Sequence, residues 1–346
     1  MRFLQDLTYE EVEKTVLDCG MPKYRAGQLF SWVTRGAKYG EMSNIPQSLK
    51  GFLVSQGYND EPVRIIRTLE SKLDGTVKFL YALQDNNVIE GVLMKYKYGY
   101  TICISTQVGC RMGCKFCAST LKGLKRNLSA GEMIGQILLV NRDIDGKGTS
   151  RNITNVVLMG SGEPLDNYDN VVKFINLASS PKGLNISQRN ISLSTCGIVD
   201  KIYQLAELKL NITLTISLHA TTDENRKKIM PIANKYSIDE IIKACKDYFE
   251  KTKRKIYFEY TLVQDINDSD EDVKRLAQML KGMTCHVNVI PLNDVKERSL
   301  KKTTRLMAYQ FVEKLKKTGV SATVRRTMGE DIGGACGQLR NTILGI

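Results

Sequence analysis

One short loop carries three cysteines, Cys110-Arg-Met-Gly-Cys114-Lys-Phe-Cys117, in a C-x3-C-x2-C spacing. Three thiolates can ligate a four-iron cluster and leave its fourth iron open, whereas closed clusters take four cysteines. An open iron can hold the amino acid end of S-adenosylmethionine and pass an electron to its sulfonium. Zinc is the alternative, but structural zinc takes four ligands, usually from paired C-x2–4-C elements. His219 and His286 are the only histidines, and no His or Cys sits near enough in sequence to complete a zinc ribbon. The spacing therefore favours an iron–sulfur site held by Cys110, Cys114 and Cys117 over zinc or free thiols.

Further along stands Gly160-Ser161-Gly162-Glu163-Pro164. Its glycines permit close backbone approach to a ligand, and the Glu163 carboxylate can accept hydrogen bonds from an ammonium group. In isolation the segment reads equally well as a plain turn. Ser194 and Ser217-Leu218-His219 offer hydroxyl, backbone and imidazole groups that could hold ribose, adenine or carboxylate, or could simply terminate strands. Near the C-terminus Cys336 lies in the glycine-rich run Gly333-Gly334-Ala335-Cys336-Gly337, which argues against a packed core position. A buried cysteine otherwise behaves as a small hydrophobe; that default is given to Cys19, Cys196, Cys245 and Cys285, and stays open for Cys103 on the strand leading into the cysteine loop.

The elements that must position these residues alternate. Strands are predicted at Thr101–Thr106, Asn155–Gly160, Asn190–Thr195, Ile212–His219, Ile256–Val263, Val287–Leu292 and Ser321–Arg326. Helices are predicted near Ala130–Asn141, Asp169–Ala178, Ile202–Leu208, Ile238–Lys251, Glu271–Leu280 and Thr304–Lys317. Ser129-x-x-Glu132 and Ser237-x-x-Glu240 read as capping boxes. Apolar strands alternating with helices indicate an α/β fold with a parallel sheet, closed or partly closed into a barrel. In such folds the chemistry sits in loops after the strand C-termini, which is where the cysteine loop and Gly160–Pro164 fall. Residues 1–95 read differently: amphipathic helices at Leu7–Leu17 and Tyr24–Thr34, a polar connection, then short strands around Val77–Leu83 and Val88–Tyr96. This divides the chain into an N-terminal accessory region, 1–95, and a catalytic region, 96–346.

The net charge of +13 points to an acidic partner, with nucleic acid foremost. Lys23, Arg25, Arg35, Lys38, Arg64 and Arg67 make the accessory region plausible as an RNA-facing surface, although each is equally compatible with a solvated face. The N-terminus turns acidic before any apolar run forms, so no leader is read, and no stretch approaches the roughly twenty apolar residues of a membrane span. Nine cysteines in such a chain suggest a reducing compartment, the cytoplasm, and ligand or catalytic use.

The cysteine loop, with Phe116 in the aromatic place before its last cysteine, resembles the signature of the radical S-adenosylmethionine superfamily, whose barrel is partial. Gly160–Pro164 resembles its Gly-Gly-Glu-Pro element. Nearly the whole chain resembles the RNA adenine-C2 methyltransferases of that superfamily, through Met21–Phe30, Val88-Ile89-Glu90, Cys110–Thr120, Ser217-Leu218-His219 and Ala335–Leu339. Ser161 departs from the family, which usually has methionine there, and leaves the glycines and Glu163 intact.

The resemblance implies a [4Fe-4S] cluster and two S-adenosylmethionine molecules per turnover. One methylates Cys336 by thiolate attack; the other generates the radical that activates the new methyl group for addition to the electron-poor C2 of adenine. It further implies Cys103 as the residue that resolves the protein–RNA crosslink through a transient disulfide with Cys336, and Glu90 as proton acceptor. Cofactor contacts are implied at Gly162, Glu163, Ser194, Ser217, Leu218, His219 and Asn293. The implied substrates are an adenosine of 23S ribosomal RNA at the peptidyl transferase centre and one beside the tRNA anticodon, with a flavodoxin or ferredoxin as electron donor and a monomeric protein. Adenine-C8 methyltransferases of the same mechanism are the nearest rival; Cys117-Ala118-Ser119-Thr120 favours the C2 family. A radical activase acting on a protein glycine would leave Cys336 and the basic charge unexplained. An RNA-binding protein with a structural metal is the non-enzymatic alternative.

Overall fold

The computed structural model describes residues 2–149 and 152–340. A short strand β1 (Arg2–Phe3) leads into helices α1 (Tyr9–Asp18), α2 (Tyr24–Val33) and α3 (Gln47–Ser55), and β2 (Tyr58–Asn59) returns to pair in parallel with β1. These elements share their own apolar centre, built from residues such as Leu4, Val12, Val16, Leu29, Phe30, Leu49 and Leu53. Truncating one of these leucines to alanine should cost about 2–5 kcal/mol. Thr8 starts α1 by accepting from the Glu11 amide while Glu11 accepts from the Thr8 amide, a reciprocal cap. Helix α3 occupies part of what the sequence reads as a polar connection; it buries only Leu49 and Leu53, too few to show a period.

Three antiparallel strands follow, β3 (Val63–Glu70), β4 (Val77–Leu83) and β5 (Val88–Tyr96), and β5 pairs with β6 (Gly99–Cys103). The sequence places β4 and β5 in the accessory region and gives no signal for β3; all three continue the main sheet. Strand β3 is its outer edge. It exposes Arg64 and Arg67 and bulges between Ile65 and Arg67, so it shows no clean alternation.

Beyond β6 a small antiparallel pair, β7 (Gln107–Gly109) and β8 (Leu124–Asn127), brackets the cysteine loop. Then come α4 (Ala130–Asp145), β9 (Ile153–Leu158), α5 (Tyr168–Ser179), β10 (Ile191–Thr195), α6 (Val199–Glu207), β11 (Thr213–Ser217), α7 (Asp223–Ile229) and α8 (Ile238–Thr252). The chain continues with β12 (Ile256–Leu262), α9 (Asp270–Leu280), β13 (Cys285–Pro291), α10 (Arg305–Lys317) and β14 (Ala322–Val324).

The main sheet has ten strands in the order β14-β13-β12-β11-β10-β9-β6-β5-β4-β3. Every pairing from β6 to β14 is parallel, and β14 and β3 stay unpaired at the two ends, so the barrel is partial. Its core joins buried strand residues such as Ile102, Val156, Leu193, Ile216, Phe258 and Val289 to helix residues such as Met133, Phe174, Ile202, Ile241 and Phe311. Both capping boxes are formed, with Ser129 accepting from the Glu132 amide and Ser237 from the Glu240 amide. No helix among the described residues is long and apolar enough to cross a membrane.

Candidate active site

The cysteine loop lies where β6 ends, folded back by the β7–β8 pair. Its backbone is pinned from several sides. The Cys110 amide donates to the Gly123 carbonyl (3.2 Å), the Lys115 amide to that of Ile229 on α7 (2.9 Å), and the Ala118 amide to that of Gly337 (2.7 Å). The Thr120 hydroxyl lies within hydrogen-bonding distance of the Cys114 and Cys117 carbonyls (3.2 and 2.9 Å). Arg111 reaches across to pair with Asp166. So held, the loop turns all three cysteines toward one cavity, of about 920 Å³ counting its open mouth.

Opposite the loop the cavity is walled by Gly162, Glu163, Ser194, Ser217, His219 and Asn293. The sequence therefore named residues that the fold brings together. Leu218 is the exception: its side chain belongs to the buried core and does not line this cavity. Its contribution is backbone, its amide donating to the Glu259 carbonyl (3.1 Å).

The turn after β9 is compressed against the segment after β6. A Cβ on Gly160 would stand 2.6 Å from the Ile104 carbonyl oxygen, and one on Gly162, at φ +118°, would stand 2.6 Å from the Thr106 hydroxyl. The close approach that requires these glycines is to the chain itself. Ser161 is wholly buried and works through its backbone, whose carbonyl accepts from the Thr106 and Gln107 amides (2.9 and 3.1 Å). Glu163 is buried, and its carboxylate accepts from the amides of Leu165 (3.0 Å) and Cys196 (2.7 Å). The Thr195 and Cys196 side chains hydrogen-bond to it as well. Burial pushes its pKa up, and the amide bonds oppose that.

His219 follows β11 in the left-handed region, at φ +57°. Its Nδ1 accepts from the Thr261 amide (2.9 Å), and its ring meets Phe116 edge-on at 4.7 Å. Burial first, then the nearby Arg226 cation, lowers its pKa to about 3. The imidazole is thus neutral, with Nε2–H left as a donor.

Behind it, fully buried Arg226 on α7 donates to three carbonyls at the ends of β10 and β11: Leu218 (3.1 Å), Cys196 (2.6 Å) and Ser217 (3.2 Å). Nothing in the sequence assigns this residue a role. It stands in Asp223-Glu-Asn-Arg226-Lys-Lys, which reads as a solvated charged run. The placement of a loop after His219 is the only signal it offers.

Cys336 lines this first cavity and also a second one, shared with Cys103, Val92, Met94, Tyr96, Arg325 and Arg326. Its loop is seated on the antiparallel extension: the Gly329 amide donates to Asp74 (3.0 Å), the Ser71 hydroxyl to Asp331 (2.6 Å), and the Lys78 ammonium to the Gly333 carbonyl (3.3 Å). Arg325 also lines both cavities, paired with Glu259 (3.2 Å) and directed at the Met159 sulfur (3.4 Å). Neighbouring Cys336 is the largest influence raising its pKa, which keeps a fixed cation between the two spaces. Burial pushes the Cys103 thiol up to about 12, with Cys336 adding to the effect.

Glu90 is buried but lines neither cavity. It pairs with Lys78 (3.0 Å) and accepts from the Arg340 amide (2.7 Å). Burial raises its pKa, and Lys78 opposes the rise.

The donor set fits a four-iron cluster with one open iron. The three thiols ring the cavity and do not meet at a point; among the described residues no three Cys, His, Asp or Glu side chains are grouped as for a single ion. Two further cysteines line the cavity, Cys336 on the C-terminal loop and Cys196, which is hydrogen-bonded to the Glu163 carboxylate. Burial pushes Cys110 and Cys117 up and Cys114 to about 12, so their protons must leave as iron binds. An apolar shell of Met112, Phe116, Ile229 and Met230 covers the loop.

The Radical SAM superfamily model matches residues 104–280. Over 345 residues the chain is 53% identical to a probable dual-specificity RNA methyltransferase RlmN of Clostridium botulinum (strain Eklund 17B / Type B), covering 99% of this chain and 98% of that one. A protein of the same description from Clostridium perfringens (strain 13 / Type A) is 52% identical over 346 residues, with 99% and 98% covered. The crystal structure of a radical SAM methyltransferase from Sphaerobacter thermophilus superposes with a TM-score of 0.94 at 38% identity, covering 99% of this chain and 100% of that one.

Proposed function

This chain belongs to the RlmN family of dual-specificity RNA methyltransferases, within the radical SAM superfamily, and on that premise we propose that it methylates C2 of adenosine by way of a methylated Cys336. The substrates are an adenosine of 23S ribosomal RNA at the peptidyl transferase centre and one beside the tRNA anticodon. The observation that carries the proposal is the position of Cys336, on the wall of the cysteine-ringed cavity and of the cavity containing Cys103.

Bound in the first cavity, the [4Fe-4S] cluster and S-adenosylmethionine supply one-electron chemistry and the methyl carbon, two S-adenosylmethionine molecules being used per turnover. Cys110, Cys114 and Cys117 hold the cluster. Glu163, Ser194, Ser217, His219 and Asn293, with the backbone at Gly162 and Leu218, orient the cofactor. Cys336 carries the methyl carbon from donor to base. Cys103 then attacks the Cys336 sulfur: the S–S bond forms as the S–C bond breaks, the methyl carbon takes up that electron pair and a proton, and the disulfide is left for cellular thiols to reduce. Glu90 accepts the C2 proton. The target adenine must be unstacked to enter, which suits single-stranded loops.

The net charge of +13 on the whole chain supplies salt-dependent affinity for the RNA backbone. We place the enzyme in the cytoplasm as a monomer, reduced by a flavodoxin or ferredoxin. Mass spectrometry of the protein tests the shuttle. Incubated with S-adenosylmethionine, the Cys336 peptide should gain one methyl group, and Cys336→Ala should keep its iron yet yield no methylated RNA. Normal turnover by Cys336→Ala would end the proposal.

A further inference from the structure

Strands β5 and β6 turn over through Lys95-Tyr96-Lys97-Tyr98-Gly99-Tyr100. Side chains two apart share one face of a strand, and Val92, Met94 and Tyr96 all line the Cys103–Cys336 cavity. Tyr98 extends this row outward. Its ring lies on that of Tyr96, with centroids 5.0 Å apart and planes within 6°. Tyr96 is half-buried, whereas Tyr98 is 65% exposed. A large ring left in water at the rim of a reacting cavity is not explained by packing.

The turn is also firmly placed. Gly99, at φ +125°, leaves no room for a side chain, since a Cβ would stand 2.7 Å from the Thr154 hydroxyl, and that hydroxyl donates to the Tyr100 carbonyl (3.1 Å). A cation lies beneath, since Arg326 lines the same cavity. Aromatic faces flanked by cations are how proteins hold unpaired nucleotides without reading their sequence.

We propose that Tyr98, seated on Tyr96, is a stacking platform for an unpaired base next to the target adenosine in the RNA strand. The inference rests on the RNA methyltransferase reading above and adds where the flanking strand lies. Stacking tolerates any base, which suits an enzyme acting on two RNAs.

The test uses the iron-loaded enzyme and an RNA hairpin with 2-aminopurine placed on either side of the target adenosine. Binding to the wild-type protein should quench the fluorophore at one of these positions. Tyr98→Ala should abolish that quench and raise the KM for RNA about tenfold, with iron content unchanged, and Tyr98→Trp should restore both. Tyr98→Leu, which keeps apolar bulk without a π-face, should behave like Tyr98→Ala. A Tyr98→Ala enzyme with wild-type quench and KM would overturn the platform alone. A wild-type enzyme that neither binds nor methylates the hairpin would overturn the RNA reading and the platform together.

Discussion

The side-chain amide of Asn293 donates to the Cys336 carbonyl at 3.0 Å, so the end of β13 holds the loop that carries the reactive thiol. On the other side of that thiol the Gly337 carbonyl accepts from the Ala118 amide of the cysteine loop at 2.7 Å. Cys336 is therefore suspended between the two halves of the cofactor cavity. Reacting groups misplaced by an ångström lose about a hundredfold in rate. Asn293→Ala should slow methylation of Cys336 by about tenfold to a hundredfold. It should lower stability by only about 1 kcal/mol, with iron content preserved. Quenched time courses of Cys336 methylation, set beside urea unfolding, measure both effects.

Arg226 ties the ends of β10 and β11 together by donating to three buried carbonyls. Losing the donor to a buried acceptor costs about 1–3 kcal/mol. Arg226→Met should therefore unfold at markedly lower urea concentration. Lysine is a compact point donor and cannot span carbonyls arranged around a planar fork, so Arg226→Lys should fail to restore the midpoint. A variant as stable as wild type would show that the three bonds contribute nothing net.

The buried imidazole of His219 makes stability depend on pH. Folded, it stays neutral down to about pH 3; in the unfolded chain it protonates near its ordinary 6.5. Between those values the unfolded state binds the extra proton, so this contribution is complete above 6.5 and is lost as pH falls toward 3. By about pH 5 the loss from this one group is on the order of 2 kcal/mol. His219→Gln should show a shallower fall in its urea midpoint between about pH 7 and pH 5. Equal slopes in the two proteins would refute the assignment.

Cys103 and Cys336 line one cavity, which positions Cys103 to break a bond between the Cys336 sulfur and RNA. Cys103→Ala should accumulate a covalent protein–RNA adduct during turnover, visible as labelled RNA on a denaturing protein gel. Free release of methylated RNA by that variant would remove Cys103 from the mechanism.

Much of this site was legible because its residues carry chemistry at fixed spacing and sit at strand ends. Cys110, Cys114 and Cys117, then Glu163, Ser194, Ser217 and His219, lie at or beyond the C-terminal ends of strands of one parallel sheet and meet in one cavity. What escaped was set by tertiary context. Arg226 sits in a run of charges on a short helix, and nothing local reveals that its side chain turns inward. Strand β3 lacks alternation because it is a bulged edge with arginines outward. Tyr98 reads as an ordinary hairpin residue until Val92, Met94 and Tyr96 are seen lining the second cavity. Glu90 shows the converse: a residue picked from resemblance whose carboxylate is taken up by Lys78 and the Arg340 amide.

The most direct test of the central claim is anaerobic turnover with S-adenosylmethionine, a reductant and ribosomal RNA fragments, followed by mass spectrometry of the digested nucleosides. The account predicts 2-methyladenosine, absent when Cys336 is alanine. An 8-methyladenosine product would contradict the assignment to C2, and no methylated adenosine from enzyme shown to hold its cluster would contradict the account as a whole.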